Sequence, residues 1–544
     1  MEQVFELDSL TFAAMLRQGT VKLGKEKSLI NDLNVFPIPD GDTGDNMYMT
    51  MKAGCAALEG NIGTLSEIAS AASSGMLLGA RGNSGVILSR IFAGLAKGLK
   101  EVVVGDLSVF HQAMQSAVEE AYKAVPVPVE GTMITVMREG VAGADASEDL
   151  NHYFDTLLAA MQTSLEHTPE LLQVLKDAGV VDSGGAGVLS VFQGMNEALK
   201  GQVTEEELVP TKAEVPTVNL DKFDENSKLE FGYCTEFLLR LMRSKVDLET
   251  FDEQVIIDYL NQVGESVVAF REGSIVKVHV HTFTPGVILN EMQKYGEFLT
   301  IKIENMALQH HQETNQNNAS FKKPLKNYGV VTVASGEGLI EAFHGIGADE
   351  VIAGGQTMNP STQDFVEAFK RIHAKHILVF PNNKNIRMSA EQAAELYKEA
   401  EIHVMPSNTI GEGYYGIGFI DRDNPNLEEV IDSVNEMMAS VTTGMVSTAI
   451  RDAEGEVPVH TGDYVGYSGK QILSDSPSRT DAAQELLQKL GAGTRDVMLV
   501  FYGEDVPAEE AEALVAELQK AYKNLEIIMN CGQQPVYDYI FVLC

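Results

Sequence analysis

The hydrophobic period changes twice along this chain, and that change constrains its fold more than any single motif. Over residues 1–200, apolar positions recur at helical spacing in LSEIASAASSGMLL, SGVILSRIFAGLAKGLKEV and LSVFHQAMQSAVEEAYKAV, and strand-like alternation is scarce. Residues 229–308 read differently. KLEFGYCTEFLLRL predicts a strand, LETFDEQVIIDYLNQV a helix, and ESVVAF-REG-SIVKVHVHT a hairpin turning at Glu272-Gly273. The helix PGVILNEMQKYG and the strand FLTIKIEN complete a βαββαβ order, the ferredoxin-like α+β pattern. Residues 327–544 alternate short apolar strands (YGVVTVA, HILVF, IHVMP, DVMLVFYG, LEIIMN, YIFVLC) with helical stretches. That alternation predicts an α/β domain on a mostly parallel sheet. Two polar stretches, 201–228 and 309–326, read as linkers between the three units. A length of 544 residues suits such a division, because single cores stop growing near roughly 250–300 residues.

Charge restricts what such a chain can bind. Lys and Arg number 40 against 78 Asp and Glu, a formal net charge of −38. A broad nucleic-acid surface needs the opposite sign, so no nucleic acid is expected as a partner. Any phosphorylated ligand must then be held locally, by backbone amides, metal ions or one small basic patch. Cys55, Cys234, Cys531 and Cys544 form no CxxC pair, which fits a reducing compartment. The N-terminus, MEQVFELDSLTFAAML, carries acids where a signal peptide has Lys or Arg. No apolar run approaches the roughly 20 residues of a membrane span. A cytoplasmic location without membrane insertion is the expectation.

The most informative stretch is Asn34-Val-Phe-Pro-Ile-Pro-Asp40-Gly-Asp42-Thr-Gly-Asp45-Asn46-Met47. Its two prolines end regular structure and hold an extended loop. The glycines allow a tight turn that aims Asp40 and Asp42 at one point. Two carboxylates that close repel unless a cation sits between them, and oxygen-only ligands favour a hard ion such as Mg²⁺. The same DGD also serves as a solvated turn. Further on, Ser73-Ser74-Gly75 and Gly79-Ala-Arg81-Gly82-Asn83-Ser84-Gly85 precede an apolar helix. Small residues there expose amides at a helix start, a ready anion site, although such breaks also serve helix packing. The local basic excess of this region lies in Arg81, Arg90, Lys97 and Lys100. Two later loops, Glu130-Gly131-Thr132-Met133 and Asp182-Ser183-Gly184-Gly185, suit a base and ribose, or plain packing and capping.

NVFPIPDGDTGDNM, GARGNSG, EGTM and DSGGAG, in that order inside a helical region, resemble the nucleotide-binding domain of the dihydroxyacetone kinase family. With GYCTEF, VKVHVHT, GGQTMNPST and PNNKN further on, the whole layout is similar to the catalytic-subunit family of bacterial fatty acid kinase. The resemblance implies an all-α helical barrel of the dihydroxyacetone kinase L type over 1–200, binding ATP with two Mg²⁺ ions. It puts Asp40 and Asp42 on the metals. The family's earlier acidic ligand falls, after a one-residue gap, on the amide Asn34, and Asp45 adds an acid where the family pattern has Thr. Ser74, Gly75, Asn83, Ser84, Gly85, Thr132, Met133, Asp182 and Gly184 are the matching nucleotide contacts. The implied acceptor is a fatty acid on a separate fatty-acid-binding subunit, and the product an acyl phosphate for phospholipid synthesis. A homodimer is a further expectation. Two other readings keep the nucleotide: a dihydroxyacetone-type small-molecule kinase, and a non-catalytic nucleotide-sensing regulator.

His279 and His281 lie two apart on a predicted strand and so share a face, with Cys234 and Glu236 two apart on another. Cys/His₂ with one carboxylate is an acceptable zinc set, and equally an ordinary sheet surface. In the last unit, the loops Gly354–Thr362, Pro381–Asn385 and Ser407–Thr409 follow predicted strands, where open α/β sheets bind ligands. The resemblance implies that this unit docks the fatty-acid-carrying partner.

Overall fold

The computed structural model describes residues 4–33, 41–58, 63–125, 127–201, 233–247, 251–252, 254–272, 274–305, 325–355 and 358–544. Of the metal-loop residues, Asn34 and Asp40 lie outside the described residues, as do the first linker beyond Gly201 and the second up to Pro324. The chain divides into two compact units, one of residues 1–208 with 324–544 and one of residues 209–323.

In the first unit the N-terminal part is helical. Its helices are α1 (Ser9–Asp32), α2 (Thr43–Ala56), α3 (Leu65–Gly79), α4 (Gly82–Gly98), α5 (Leu107–Lys123), α6 (Met133–Gly143), α7 (Leu150–Leu171), α8 (Gln173–Ala178) and α9 (Ser183–Leu199). A two-residue antiparallel pairing of β1 (Glu6–Leu7) with β2 (Gly105–Asp106) ties the start of the chain to α5. Successive helices pack side by side, and α9 returns to α1, α2, α6 and α7 and closes the circuit. That position explains its composition: α9 is buried on nearly every side, through Val188, Leu189, Val191, Phe192 and Met195. The core joins Phe12, Met47, Met51, Phe110 and Phe154, with Phe92 stacked on Phe192 at 6.5 Å.

The C-terminal part of the same unit carries β7 (Lys326–Ala334), α12 (Glu337–Gly345), β8 (Glu350–Ala353), α13 (Thr362–Lys370), β9 (Ala374–Phe380), α14 (Lys384–Leu396), β10 (Glu401–Val404), α15 (Ile410–Gly418), α16 (Leu427–Ser440), β11 (Thr442–Thr448), β12 (Tyr464–Ser468), β13 (Gln471–Ser476), α17 (Arg479–Lys489), β14 (Val497–Tyr502), α18 (Ala508–Ala521), β15 (Glu526–Cys531) and β16 (Tyr539–Leu543), with the second unit's β3 to β6 given below. These strands form two sheets. One is wholly parallel, in the order β10-β9-β7-β8. The other runs β13-β12-β11-β16-β14-β15 and is antiparallel except for the β14–β15 pair. The expectation of one mostly parallel sheet is thus corrected to two sheets. TTGMVST, YVGYS and QILSDS escape the sequence reading because Thr, Ser and Gly dilute their apolar content. Phe343, Phe380, Phe501, Ile540 and Val542 fill one core that both sheets share.

The second unit has β3 (Tyr233–Leu241), α10 (Gln254–Val263), β4 (Glu265–Glu272), β5 (Ile275–Thr282), α11 (Pro285–Met292) and β6 (Gly296–Asn305). Its antiparallel sheet has the order β4-β5-β3-β6, the ferredoxin-like arrangement. Phe237, Leu239, Val276, Val278 and Val280 form its core with Ile256, Leu260, Ile288 and Met292 of the two helices. Among the described residues no helix is long and apolar enough to cross a membrane.

Candidate functional site

Four helix starts of the N-terminal part converge around Asp42. Asp42 stands at the N-cap of α2, and its carbonyl accepts from the Asn46 amide at 2.8 Å. Asn46, one turn in, meets the start of α4: a Cβ on Gly82 would lie 2.5 Å from its Nδ2. Gly82 has φ +57°, a conformation that only glycine adopts without strain. The start of α9 reaches α2 through Ser183 Oγ and Thr43 Oγ1, 3.3 Å apart. The start of α6 reaches α9, since the Met133 amide donates to the Asp182 carboxylate and a Cβ on Gly184 would lie 3.2 Å from Met133 Cε.

Capping separates these starts from those of the other long helices. The helices α1, α3, α5 and α7 have side-chain caps from Asp8, Thr64, Asp106 and Asp149. At α2, α4 and α6 the N-cap residue's own side chain makes no cap. Each such start presents amides with no partner inside its helix, together with the positive end of the helix dipole. The start of α4, next to Asn46 and to the Asn359 that binds the Asp42 carboxylate, can hold an anion, with a cation between anion and carboxylate. The fourth start, α9, is capped by Asp182, whose Oδ2 accepts from the Gly185 amide at 2.7 Å. Burial pushes the Asp182 carboxyl up to about 6, against the opposing pull of the Gly185 and Met133 amides.

Not every predicted contact falls where the sequence suggests. Asn83 and Ser84 sit in the first turn of α4, as expected of amide donors, but the Gly85 amide is taken by the Arg81 carbonyl at 3.1 Å. Gly85 is small because a Cβ would lie 2.4 Å from Thr50 Oγ1 of α2. Ser74 and Gly75 do not form a loop: both lie inside α3, where a Cβ on Gly75 would press on Ala53 and Ala57. Their small size serves helix packing. Thr132 stands at the N-cap of α6 with its hydroxyl donating to the Val129 carbonyl at 2.8 Å. Asp45 gives one carboxylate oxygen to Lys27 Nζ at 2.6 Å and the other to Asn31 Nδ2 at 2.7 Å. Asn31 also accepts from the Gly44 amide. Asp45 thus braces the end of α1 against the start of α2.

The expected basic patch is directed elsewhere too. Lys97 pairs with Glu120, and Lys100 lies 3.9 Å from Glu101. Arg81 and Arg90 reach the C-terminal part. Arg81 Nη1 donates to the Asn359 carbonyl at 2.7 Å, and Arg90 contacts Gln392 and Glu395. Ala80 accepts from the Thr362 amide, and Gln392 donates to the Leu77 carbonyl. Most telling, Asn359 Nδ2 donates to Asp42 Oδ2 at 2.5 Å, so the loop after β8 reaches into the site. The sequence marks that loop as ligand-binding but not as a wall of the helical site. Oδ1 of Asn359 and Oδ1 of Asn83 are buried with no hydrogen-bond partner among the described residues. The free acceptor of Asn359, beside the Asp42 carboxylate, fits an oxygen-coordinated hard cation.

In the second unit the register sets Cys234 opposite His281 and Glu236 opposite His279. The side chains of these four residues lie outside the described ones.

Comparison with known proteins bears on all of these parts. A family model for the C-terminal domain of FakA-like fatty acid kinase proteins matches residues 329–543, one for the DAK2 domain residues 37–197, and one for the middle domain of the same FakA-like proteins residues 230–313. Protein YloV of Bacillus subtilis strain 168 is 39% identical, with 98% of each chain covered. The uncharacterized protein SAUSA300_1119 of Staphylococcus aureus strain USA300 is 36% identical, with 99% of each covered. Among solved structures, DegV, a fatty acid binding protein from Bacillus subtilis, is similar over 40% of this chain and 99% of its own. That likeness is faint, at 12% identity and a TM-score of 0.31. On sequence identity over nearly its whole length, the chain belongs to the FakA-like fatty acid kinase family, a DAK2 domain joined to that family's middle and C-terminal domains.

Proposed function

We propose that this protein transfers the γ-phosphoryl group of ATP to the carboxylate of a fatty acid presented by a separate fatty-acid-binding subunit, giving an acyl phosphate for phospholipid synthesis. The observation that carries the reading is the start of α4, without a side-chain cap, beside Asp42 within the DAK2 domain. Asp42, with Asp40 beside it in sequence, would hold the Mg²⁺ ions. Bound there, magnesium supplies charge neutralisation and alignment of the phosphates. The amides of Gly82, Asn83 and Ser84 hold the phosphate oxygens, and Thr132, Met133, Asp182 and Gly184 flank the nucleoside. Asn359 keeps the Asp42 carboxylate aimed, and Asp45 keeps the two ends of its loop together.

Chemistry at the acceptor asks little more. A fatty acid is ionised near neutral pH, so the attacking oxygen needs no proton removed and no general base is assigned. In-line placement does the rest, and the C-terminal part, whose loop already forms one wall of the site, is the natural place for the acyl-carrying subunit to dock. In the second unit, the register supports Cys234, Glu236, His279 and His281 as a zinc set of structural use.

Purified chain with ATP, Mg²⁺ and a lipid-loaded binding subunit is expected to form acyl phosphate, trapped as hydroxamate, and none when that subunit is left out. Phosphorylation of dihydroxyacetone in place of the fatty acid would reassign the acceptor. Nucleotide binding with no turnover on either would make the protein a regulator.

A further inference from the structure

The start of the parallel sheet holds a second constellation, far from the kinase site in the strand direction. His376 is the third residue of β9, and Glu401 and His403 are the first and third of the edge strand β10. The parallel register pairs Glu401 with His376 and His403 with Leu378, so all three side chains stand on one face. One ligand atom from each lies within 4.8 Å of the other two. His376 Nδ1 is 3.0 Å from Glu401 Oε2, and His403 Nε2 is 4.0 Å from the same oxygen. Despite that closeness, both ring nitrogens are buried without a hydrogen-bond partner among the described residues. Tyr328 of β7 closes the inner side, its ring 5.8 Å from that of His376.

Buried ring nitrogens that cluster with a carboxylate oxygen and have no hydrogen-bond partner are costly unless something occupies the space between them. A solvated ion pair does not explain them, because only Glu401 is exposed and neither imidazole makes a proper bond to it. Two imidazoles with one carboxylate are a recurring zinc set that leaves a fourth position for water. Nitrogen ligands select a borderline divalent ion over Mg²⁺.

We propose that His376, Glu401 and His403 form a zinc site that fastens the edge strand β10 to β9. It is distinct from the Cys234 set in ligand chemistry, having no thiolate. It also lies at the opposite end of the sheet from the loops that face the helical part, so it stands outside the phosphoryl-transfer route.

The test uses full-length protein stripped with chelator and titrated with Co²⁺, then with Zn²⁺ in competition. A thiol-free site is expected to give visible d–d bands without a thiolate-to-cobalt charge-transfer band. A Cys234-based site, if filled, carries that band and is followed separately. Glu401→Gln, at a side chain 70% exposed, leaves the fold intact and is expected to weaken Zn²⁺ at the thiol-free step at least about tenfold. His376→Gln with His403→Gln is expected to abolish that step while leaving any thiolate step in place. Absence of a thiol-free step in wild type overturns the proposal. So does wild-type affinity in folded Glu401→Gln, or in the double variant, with circular dichroism as the check on folding.

Discussion

Helix starts within the N-terminal part fall into two groups, and the difference locates the chemistry. At α1, α3, α5 and α7, a side chain satisfies the first-turn amides, and α3 even has the reciprocal Thr64–Glu67 capping box. At α2, α4 and α6 the N-cap residue's own side chain does not do so. Asn31 takes the Gly44 amide of α2 and Asp182 the Met133 amide of α6, while the start of α4 lies beside Asp42 through Asn46 and Asn359. A capped start stabilises its own helix by about 1 kcal/mol. The α4 start has no such cap and leaves its first-turn amides at Gly82, Asn83 and Ser84 for a ligand. That contrast supports the assignment of these amides to phosphate.

The largest effect is expected at the carboxylates. Asp40→Ala with Asp42→Ala should lower acyl phosphate formation by roughly 10³-fold or more, with an unchanged melting transition. Wild-type turnover in that variant would remove Asp42 from the machinery. Next, the two groups of starts can be set against each other. Gly82→Ala forces a side chain into φ +57° and against Asn46, costing about 1–2 kcal/mol and raising the KM for ATP about tenfold. Asp106→Ala, at a capped start, should lower stability by about 1 kcal/mol and leave KM alone. Equal effects of the two on KM would erase the distinction.

Asp182 probes the one capped start inside the site. Its carboxyl titrates near 6 in the folded chain against an ordinary 3.8, so the folded state binds the extra proton between those values. Wild-type stability therefore falls as pH rises through about 4 to 6. Asp182→Asn keeps an acceptor for the Gly185 amide and loses the titration. Urea melts should show the variant gaining about 2 kcal/mol on wild type between pH 4 and pH 7, and a flat difference would contradict the burial. The smallest effect is expected at the contact between the two parts. Arg90→Ala removes a largely exposed pair with Glu395 and one bond to Gln392, and should cost about 1 kcal/mol with turnover within about twofold.

Much of this was legible in one sequence. The period change separates a helical region from two regions with strands, and the βαββαβ reading of 229–308 matches the observed order of elements. Capping signals such as Thr64-Leu-Ser-Glu67 mark helix starts directly. The readings that failed share one cause. Gly75 and Gly85 look like loop glycines, but their neighbours across a helix crossing, Ala53 and Thr50, are far away in sequence. Arg81 and Arg90 look like phosphate ligands until the C-terminal part supplies Asn359, Gln392 and Glu395. The strands β11, β12 and β13 carry too few apolar residues to announce themselves.

What the sequence determined alone was local: period, caps, the proline-bounded acidic loop, and the residue types able to bind metal and phosphate. These follow from forces that act within a few residues, so a window of sequence contains them. Tertiary structure decided which glycines pack and which bend, which of two neighbouring acids is a brace, and that Asn359 belongs to the same site as Asp42. Those outcomes depend on close packing between segments apart in sequence, tens of residues for the glycines and hundreds for Asn359, whose single contact of 2.5 Å settles a role that composition leaves open.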